Sequence, residues 1–308
     1  MKKETKNNLM SSPNKIIIGT RGSDLARWQT DFVKDQLLSL FPDLNVEIVV
    51  IKTTGDVVLD SSLSEIGGKG VFTKELEDAL LSDVIDIAVH SLKDLPTELP
   101  QGLQIGAILK RAAVEDVFLS NDLSSKLFEL PQGATVATGS IRRKSQILAK
   151  RPDINIIDIR GNVPTRIKKL RNSNWDGMIL ARAGVERLGL MENVAHIIDV
   201  KDILPAPGQG AIAIETRVGD NNILHYLIPL NDVETELSVT AERTVLKELG
   251  GGCQHPLGTY GRFIDGVLTL DACYPLTGSD SLTKVHCASS NNNATELGET
   301  VAKMLKDF

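Results

Sequence analysis

The stretch Lys15-Ile16-Ile17-Ile18-Gly19-Thr20-Arg21-Gly22-Ser23-Asp24 decides the fold class. It begins with a short β-branched run, and apolar residues recur at helical spacing over residues 25–40 that follow it. The pattern predicts a strand, a polar turn and a helix. Because free N–H groups at a helix N-terminus favour an anion, Arg21 and Ser23 are candidate ligands for one, although plain capping by Ser23 or Asp24 explains the turn equally well.

Strand, turn and helix units repeat along the chain. A first series is expected to have strands at 46–51, 85–89 and from residue 103, and a second series at 116–119, 135–137, 154–159 and 178–180. The Pro/Gly-rich segment Leu204–Gly210 precedes a strand at 211–215, which predicts that the chain crosses back to the first series. A long amphipathic helix from Asp232, strands near 259–263 and 267–272 and a helix near 295–308 complete the chain.

These patterns predict an α/β protein with two hinged lobes, like those of periplasmic binding proteins, and a small C-terminal α+β domain. The expected boundaries are a disordered leader at 1–14, a first α/β lobe at 15–110 with 211–229, a second α/β lobe at 111–204, a hinge crossing at 205–210 and the C-terminal domain at 230–308. The two crossings between the lobes predict a cleft that opens and closes about a hinge.

The composition limits the classes of function. With 308 residues, 42% hydrophobic residues and a net charge of −6, the chain is typical of an acidic globular protein rather than one that binds nucleic acid over its whole surface. No apolar run approaches the length of a membrane span, and residues 1–15 lack the apolar segment of a secretory signal. Three widely spaced cysteines (Cys253, Cys273 and Cys287) argue against a disulfide framework, so we expect a reducing cytoplasm.

A basic segment lies within this acidic chain, because residues 138–171 hold ten Lys or Arg against two acids. Its turns Thr138–Arg143 and Arg160–Arg166 each lie where a strand gives way to a helix, so two arginine pairs are expected at strand ends beside helix N-termini. Guanidinium groups there suit carboxylates or phosphates. Nucleic acid is the rival ligand, but the segment offers almost no aromatic residues on which bases could stack.

Two more turns carry candidate chemistry. The turn His90-Ser91-Leu92-Lys93-Asp94-Leu95-Pro96 follows a buried strand, at the strand end where open α/β sheets bind ligands, although Asp94 alone could be a simple turn residue. The loop ending in Gly67-Gly68-Lys69-Gly70 lacks the Gly-Lys-Ser/Thr order of a phosphate-binding loop. Lys69 therefore belongs to a lid or is a solvent-exposed loop lysine.

One thiol lies in a run of glycines. In Gly250-Gly251-Gly252-Cys253 the glycines leave the backbone beside the cysteine free of side chains. The run either exposes this thiol for chemistry or simply caps the preceding helix. A zinc site made by Cys253, His255 and a second cysteine is a weaker alternative, because the spacing is not that of a recognised site.

Several of these motifs occur in the same order in one family, and the sequence resembles the porphobilinogen deaminases, also called hydroxymethylbilane synthases, over nearly its whole length. The resemblance is carried by Ile16–Ser23, Ala88–Asp94, Arg142-Arg143, Arg160-Gly161-Asn162-Val163, Pro207-Gly208-Gln209-Gly210, Glu242-Arg243 and Gly251-Gly252-Cys253-Gln254. It implies a transferase that joins four porphobilinogen molecules head to tail, releases ammonia at each step and hydrolyses the product to free hydroxymethylbilane. The growing product carries many carboxylates, and an arginine-lined cleft would bind such a polyanion.

The resemblance also assigns roles to residues. It implies that Asp94 is the catalytic carboxylate and that Cys253, in a cofactor-anchoring C-terminal domain, holds a dipyrromethane primer through a thioether. The residues that it implies for cofactor or substrate binding are Arg21, Ser23, Lys93, Ser140, Arg142, Arg143, Arg160, Arg166, Arg187 and Gln209, with Lys69 in a lid. We expect no metal, no nucleic acid and no membrane partner, and a monomer in the cytoplasm.

Two positions depart from the family pattern. Gly139 stands in the middle of a turn that is expected to be rich in hydroxyl groups, and Arg182 stands where a small apolar residue is common. The alternative function is a two-lobe receptor that binds a small anion without catalysis. Such a receptor has no use for a cysteine on a glycine loop in a third domain.

Overall fold

The first lobe is built on a five-stranded mixed sheet. The computed structural model describes residues 14–53, 73–251, 255–275 and 281–307. The strands of this lobe are β1 (Lys15–Thr20), β2 (Asn45–Val50), β3 (Ile87–Ser91), β4 (Leu103–Ile108) and β10 (Ile212–Arg217), and its helices are α1 (Asp24–Leu40), α2 (Lys74–Leu81) and α6 (Asn221–Leu227). The order in the sheet is β2-β1-β3-β10-β4, with β10 antiparallel to both neighbours and the other pairs parallel. Alternate residues of β1 and β3 are buried against α1, which contributes Val33 and Leu37 to the core.

The second lobe repeats this arrangement. Its strands are β5 (Asp116–Leu119), β6 (Thr135–Ala137), β7 (Asn155–Ile157), β8 (Gly177–Ala181) and β9 (Val194–Ile197), and its helices are α3 (Ile141–Lys150), α4 (Val163–Arg171) and α5 (Arg182–Arg187). The order is β7-β6-β8-β5-β9, with β5 antiparallel to both neighbours. In each lobe the antiparallel fourth strand is the one that follows a crossing from the other lobe.

The C-terminal domain is an antiparallel sheet covered by two helices. Its strands β11 (Gly258–Ile264), β12 (Val267–Pro275) and β13 (Leu282–Ala288) lie in sequence order, and α7 (Val233–Glu248) and α8 (Ala294–Lys306) pack against them around one apolar core. The predicted fold class, two α/β lobes with a small α+β domain, is therefore confirmed. The residue boundaries of the domains stay a prediction, and most of the expected leader, residues 1–13, lies outside the described residues.

A buried ion pair joins the crossings to the C-terminal domain. Glu242 of α7 has no exposed surface and binds Arg111 through both carboxylate oxygens, at 2.7 and 3.0 Å. The same carboxylate accepts hydrogen bonds from the backbone N–H groups of Gly208 and Gly261, both at 2.7 Å. Because Arg111 and Gly208 lie on the two different crossings, one carboxylate fixes both of them to the third domain.

Among the residues that the structure describes, none of the helices is both long and apolar enough to cross a membrane.

Candidate active site

The turn after β3 carries Lys93 and Asp94 at the carboxyl end of the central strand of the first sheet. The chain leaves the strand in a single 3-10 turn, Leu92–Asp94, in which Leu92 is buried while Asp94 is exposed and Lys93 is partly buried. Leu92 N–H donates to the carbonyl of Ala211 at 3.1 Å. Gly208 has a φ of +74° and lies so close to this turn that a Cβ there would be 2.9 Å from Leu92 Cγ. The second crossing therefore packs directly against the candidate catalytic turn.

The charge on Lys93 responds to both lobes. Loss of hydration and the charges of Arg143 and Arg142 together lower the pKa of Lys93 to about 8, although the carboxylates of Asp94 and Asp116 oppose the shift. Lys93 belongs to the first lobe, whereas Asp116 and the two arginines belong to the second. The predicted basic residues of the two lobes are thus brought together at the cleft.

Arg142 and Arg143 both bind Asp116. Each donates from an Nη2 to a different carboxylate oxygen at 2.7 Å, and all three side chains are at most 7% exposed. Burial alone would raise the pKa of Asp116, but the charges and hydrogen bonds of the two arginines hold it far below its usual range. The Nη1 groups donate to the carbonyls of Leu204 at 2.5 Å and Ile179 at 3.1 Å. Arg142 and Arg143, which the sequence predicted to bind a ligand, are therefore held in place by the buried carboxylate of Asp116.

Gln209 joins the same cluster from the second crossing. Its side chain is fully buried, and Nε2 donates to Asp116 Oδ1 at 2.9 Å and to the carbonyl of Val114 at 2.7 Å. Its Oε1 is buried without a hydrogen-bond partner among the described residues. Gln209 thus links the crossing to the arginine pair.

The turn before α3 explains one departure from the family pattern. Ser140 caps the helix by accepting a hydrogen bond from Arg143 N–H at 3.4 Å, and Thr138 Oγ1 accepts from Ser140 N–H at 3.2 Å. A Cβ on Gly139 would lie 2.8 Å from Asp158 Oδ1 and 2.9 Å from the carbonyl of Ile159. Glycine is therefore required because neighbouring oxygen atoms fill the space of a side chain.

Arg160 lies on the turn before α4, and Arg166 lies within the first turns of that helix. Arg160 Nε is 3.1 Å from Asp158 Oδ2, and Arg166 Nε donates to the carbonyl of Gly161 at 2.7 Å. Loss of hydration, together with the charges of Arg143 and Arg160, lowers the pKa of Arg166 to about 10, although Asp158 and Asp94 oppose the shift. Asp94 of the first lobe is therefore among the charges that act on Arg166 of the second lobe.

Arg187 of the second lobe contacts the first helix and the second crossing. The guanidinium of Arg187 lies 5.6 Å from the centre of the Trp28 ring and donates to the carbonyl of Gly210 at 2.8 Å. Burial lowers the pKa of Arg187 to about 10. Ser23 caps α1 by accepting from Ala26 N–H at 3.4 Å, as the capping interpretation requires, and the partly buried Arg21 precedes it in the same turn.

The structure also contains residues to which the sequence analysis gave no role. These are Asp116, Arg111, Glu242 and Arg243, the last of which donates to three carbonyls around the turn that carries Asp94. Glu242-Arg243 is part of the family motif. Two charged residues beside the apolar face of an amphipathic helix could have predicted buried partners for both side chains. Asp116 gave no signal of its own.

Two predicted residues, Cys253 and Lys69, lie outside the described residues. The helix before the glycine run ends in a cap, since Gly250 has a φ of +69° and Gly251 N–H donates to the carbonyl of Leu246 at 2.9 Å. The capping interpretation therefore applies to the first two glycines. In the described part of the chain, no group of three His, Cys, Asp or Glu residues is arranged to hold a metal.

Comparison with known proteins decides the family. Residues 16–225 match the family described as "Porphobilinogen deaminase, dipyromethane cofactor binding domain", and residues 236–307 match "Porphobilinogen deaminase, C-terminal domain". The chain belongs to the porphobilinogen deaminase family. The resemblance of the motifs is thereby confirmed.

Relatives within the porphobilinogen deaminase family match nearly end to end. The porphobilinogen deaminase of Syntrophobacter fumaroxidans is 46% identical over 292 residues, which cover 95% of this chain and 94% of that protein. The porphobilinogen deaminase of Chloroherpeton thalassium is 51% identical over 251 residues, covering 82% of this chain and 80% of that protein. Among solved structures, the methionine binding protein MetQ is similar with a TM-score of 0.44 at 15% identity, over 73% of this chain and 91% of that one.

The residues at the cleft fit the dipyrromethane of this family. A dipyrromethane with carboxylate side chains needs cationic donors, and the cleft supplies Lys93, Arg143, Arg160 and Arg166 from both lobes. Arg143 Nε is buried and has no hydrogen-bond partner among the described residues, so it is a donor available for such a group.

Proposed function

We propose that this chain is a porphobilinogen deaminase that joins four porphobilinogen molecules head to tail on a dipyrromethane primer and then releases hydroxymethylbilane by hydrolysis. The family match over both domains supports this assignment. The structural observation that supports it is the turn at the end of β3, where Asp94 is exposed beside Lys93 and its charge also acts on Arg166 of the second lobe. A carboxylate beside cationic groups across a cleft suits a substrate that is an anion and becomes cationic during reaction.

The cationic residues of the cleft bind the carboxylates of the substrate and of the primer. Arg160 and Arg166 lie beside the N-terminus of α4, where guanidinium groups and backbone N–H groups together favour anions. Arg21, Ser23 and Ser140 extend this set at the N-termini of α1 and α3. Arg142 and Gln209 act through Asp116, because their hydrogen bonds fix the orientation of Arg143.

Asp94 carries the proton transfers. In each cycle the protonated amine of one porphobilinogen leaves as ammonia when its C–N bond breaks, one C–C bond forms, and the ring carbon that forms it loses its proton. The Asp94 carboxylate stabilises the positive charge left on the substrate when ammonia leaves, and it accepts the proton that the ring carbon must lose. Because it is exposed at the edge of the sheet, the same carboxylate can serve every cycle.

Cys253 attaches the primer through a thioether in this proposal. A thiolate is a strong nucleophile towards an electrophilic methylene carbon, and the adjoining glycines leave space for the adduct. When bound, the primer supplies the free pyrrole carbon to which each new unit is joined. Lys69 is proposed to act in a lid over this site.

We further propose that the enzyme acts as a monomer in the cytoplasm. Lys93, Asp94, Arg143 and Arg166 come together within a single chain, so the site needs no second copy. Cys273 and Cys287 are free thiols, as a reducing compartment requires. The alternative of an anion receptor without catalysis is not favoured, because the chain matches both family domains.

The assignment is tested with the purified protein made in cells that synthesise porphobilinogen. Wild-type protein is expected to consume porphobilinogen, and intact mass measurement is expected to show a dipyrrole adduct that peptide mapping places on Cys253. Asp94→Ala should abolish turnover with its circular dichroism spectrum unchanged. Glu98→Gln is the matched control, because Glu98 is an exposed carboxylate four residues further on that pairs with Lys247 at 3.6 Å. Full activity of Asp94→Ala, or an unmodified Cys253 in fully active enzyme, would contradict the corresponding assignment.

A further inference from the structure

Arg243 binds the backbone on both sides of Lys93 and Asp94. This arginine lies on α7, in the C-terminal domain, and is partly buried. Its Nη1 donates to the carbonyl of Leu95 at 2.9 Å and to that of Leu92 at 3.4 Å, and its Nη2 donates to the carbonyl of Pro96 at 2.5 Å. The guanidinium therefore holds the first residue of the turn together with the two residues that follow it.

The turn itself has little internal support. Leu92–Asp94 is one 3-10 turn, closed by the hydrogen bond from Leu95 N–H to the carbonyl of Leu92 at 3.1 Å. Poor hydrogen-bond geometry makes short 3-10 turns weak by themselves. A planar guanidinium has five N–H donors in a fixed arrangement, so Arg243 can satisfy several carbonyls at once and fix their relative positions.

The neighbouring residue on α7 fixes the hinge. Glu242 binds Arg111 and Gly208 of the two crossings, and Gly208 in turn packs against the side chain of Leu92. On α7, Glu242 thus holds the two crossings, and the next residue, Arg243, holds the turn that carries Asp94. The same helix ends at Glu248, and after Leu249 the chain enters the glycines that lead to Cys253.

We propose that Arg243 is a positioning residue for the reaction, which fixes the Asp94 turn relative to the helix that leads to Cys253. This inference rests on the proposed function, because it takes Asp94 as the catalytic carboxylate. Repeated chain extension requires the carboxylate to return to the same place in every cycle. Loss of Arg243 should therefore impair catalysis more than substrate binding, because Arg160 and Arg166, which bind the substrate in the proposed function, lie on the other lobe.

The test compares three variants of the full-length, primer-loaded enzyme. Arg243→Gln is expected to lower kcat by about 10- to 100-fold, since small displacements of a reacting group have effects of that order, while KM for porphobilinogen changes by less than about threefold. Arg243→Lys keeps the charge but not the planar set of donors, and should recover part of the lost kcat. Lys247→Gln is the matched control, because Lys247 is exposed, lies one turn along the same helix and pairs with the exposed Glu98 at 3.6 Å. Its kcat should equal that of wild type.

Each result separates this inference from the proposed function. If wild-type protein turned over no porphobilinogen, the proposed function would fail. If wild type is active and Arg243→Gln keeps kcat within about threefold of it, Arg243 does not position the turn. A fall in kcat that matches the fall in adduct content by intact mass, or a rise in KM alone, would likewise overturn the proposal. Should the Gln variant not fold, the Lys variant decides by the same split between kcat and KM.

Discussion

Replacement of Asp116 by Asn should destabilise the second lobe strongly. The Asp116 carboxylate is fully buried and accepts one hydrogen bond at 2.7 Å from each of Arg142 and Arg143 and one at 2.9 Å from Gln209. An Asn side chain of the same shape removes the negative charge and turns an NH2 group towards donors, so two buried guanidinium groups lose their counter-charge. Breaking a buried ion pair in this way costs about 3–5 kcal/mol. That is a large part of the roughly 5–15 kcal/mol by which domains are stable.

The assay for this prediction is urea unfolding followed by circular dichroism. Asp153→Asn is the control, because Asp153 pairs with Arg151 at 2.6 Å in the same lobe but near the surface, where such pairs contribute about 0–1 kcal/mol. The pKa of Asp116 is depressed in the folded state, so its contribution is complete above the unfolded pKa of about 4 and is lost as pH falls below it. The difference between wild type and Asp116→Asn should therefore be constant from neutral pH down to about pH 5. A loss below about 1 kcal/mol, or a difference that already shrinks above that pH, would refute the reasoning.

Three further changes test other parts of the site. Gly139→Ser should lower the free energy of unfolding by about 1–3 kcal/mol, because the new Cβ meets Asp158 Oδ1 at 2.8 Å, and Asp158→Ser in the same chain should recover part of that loss in urea unfolding. KM for porphobilinogen should rise as pH passes through about 8, where Lys93 loses its charge, and a pH profile of Lys93→Arg should lack this rise. Arg182→Val removes partly exposed ion pairs with Glu115 at 3.2 Å and Glu186 at 2.7 Å, so unfolding should change by less than about 1 kcal/mol and kcat should stay unchanged.

The architecture of the lobes could be predicted because each strand, turn and helix unit has its own local pattern. The second series of strands and the return strand β10 lie close to their expected places, although β7 covers only Asn155–Ile157 of the expected 154–159. No strand was predicted at β9, Val194–Ile197, or at β13, Leu282–Ala288, and both are edge strands. In β13 the buried residues Thr283 and Val285 alternate with exposed polar ones, so only this period-2 alternation marks the strand.

Candidate positions at the cleft could be predicted from strand ends, but the partners of their side chains could not. Arg142 and Arg143 lie on the expected turn, yet both bind Asp116, which is 26 and 27 residues away and begins a strand. Gln209 reaches the same carboxylate from 93 residues away. Such contacts depend on how the two crossings bring the sheets together, and no local sequence pattern reports that arrangement.

The charges of the cleft show why a polyanionic ligand would bind there. Arg142 and Arg143 share one internal carboxylate, so the group Arg142, Arg143 and Asp116 keeps a net positive charge. Around it the pKa of Lys93 is lowered to about 8 and that of Arg166 to about 10, because these cations are already partly removed from water and repelled by the arginines. The free energy of removing these cations from water is lost when the protein folds, so ligand binding does not lose it a second time. Each carboxylate that enters the cleft meets cations whose hydration is already reduced, and its own charge raises their lowered pKa values, so binding and protonation of Lys93 should reinforce each other.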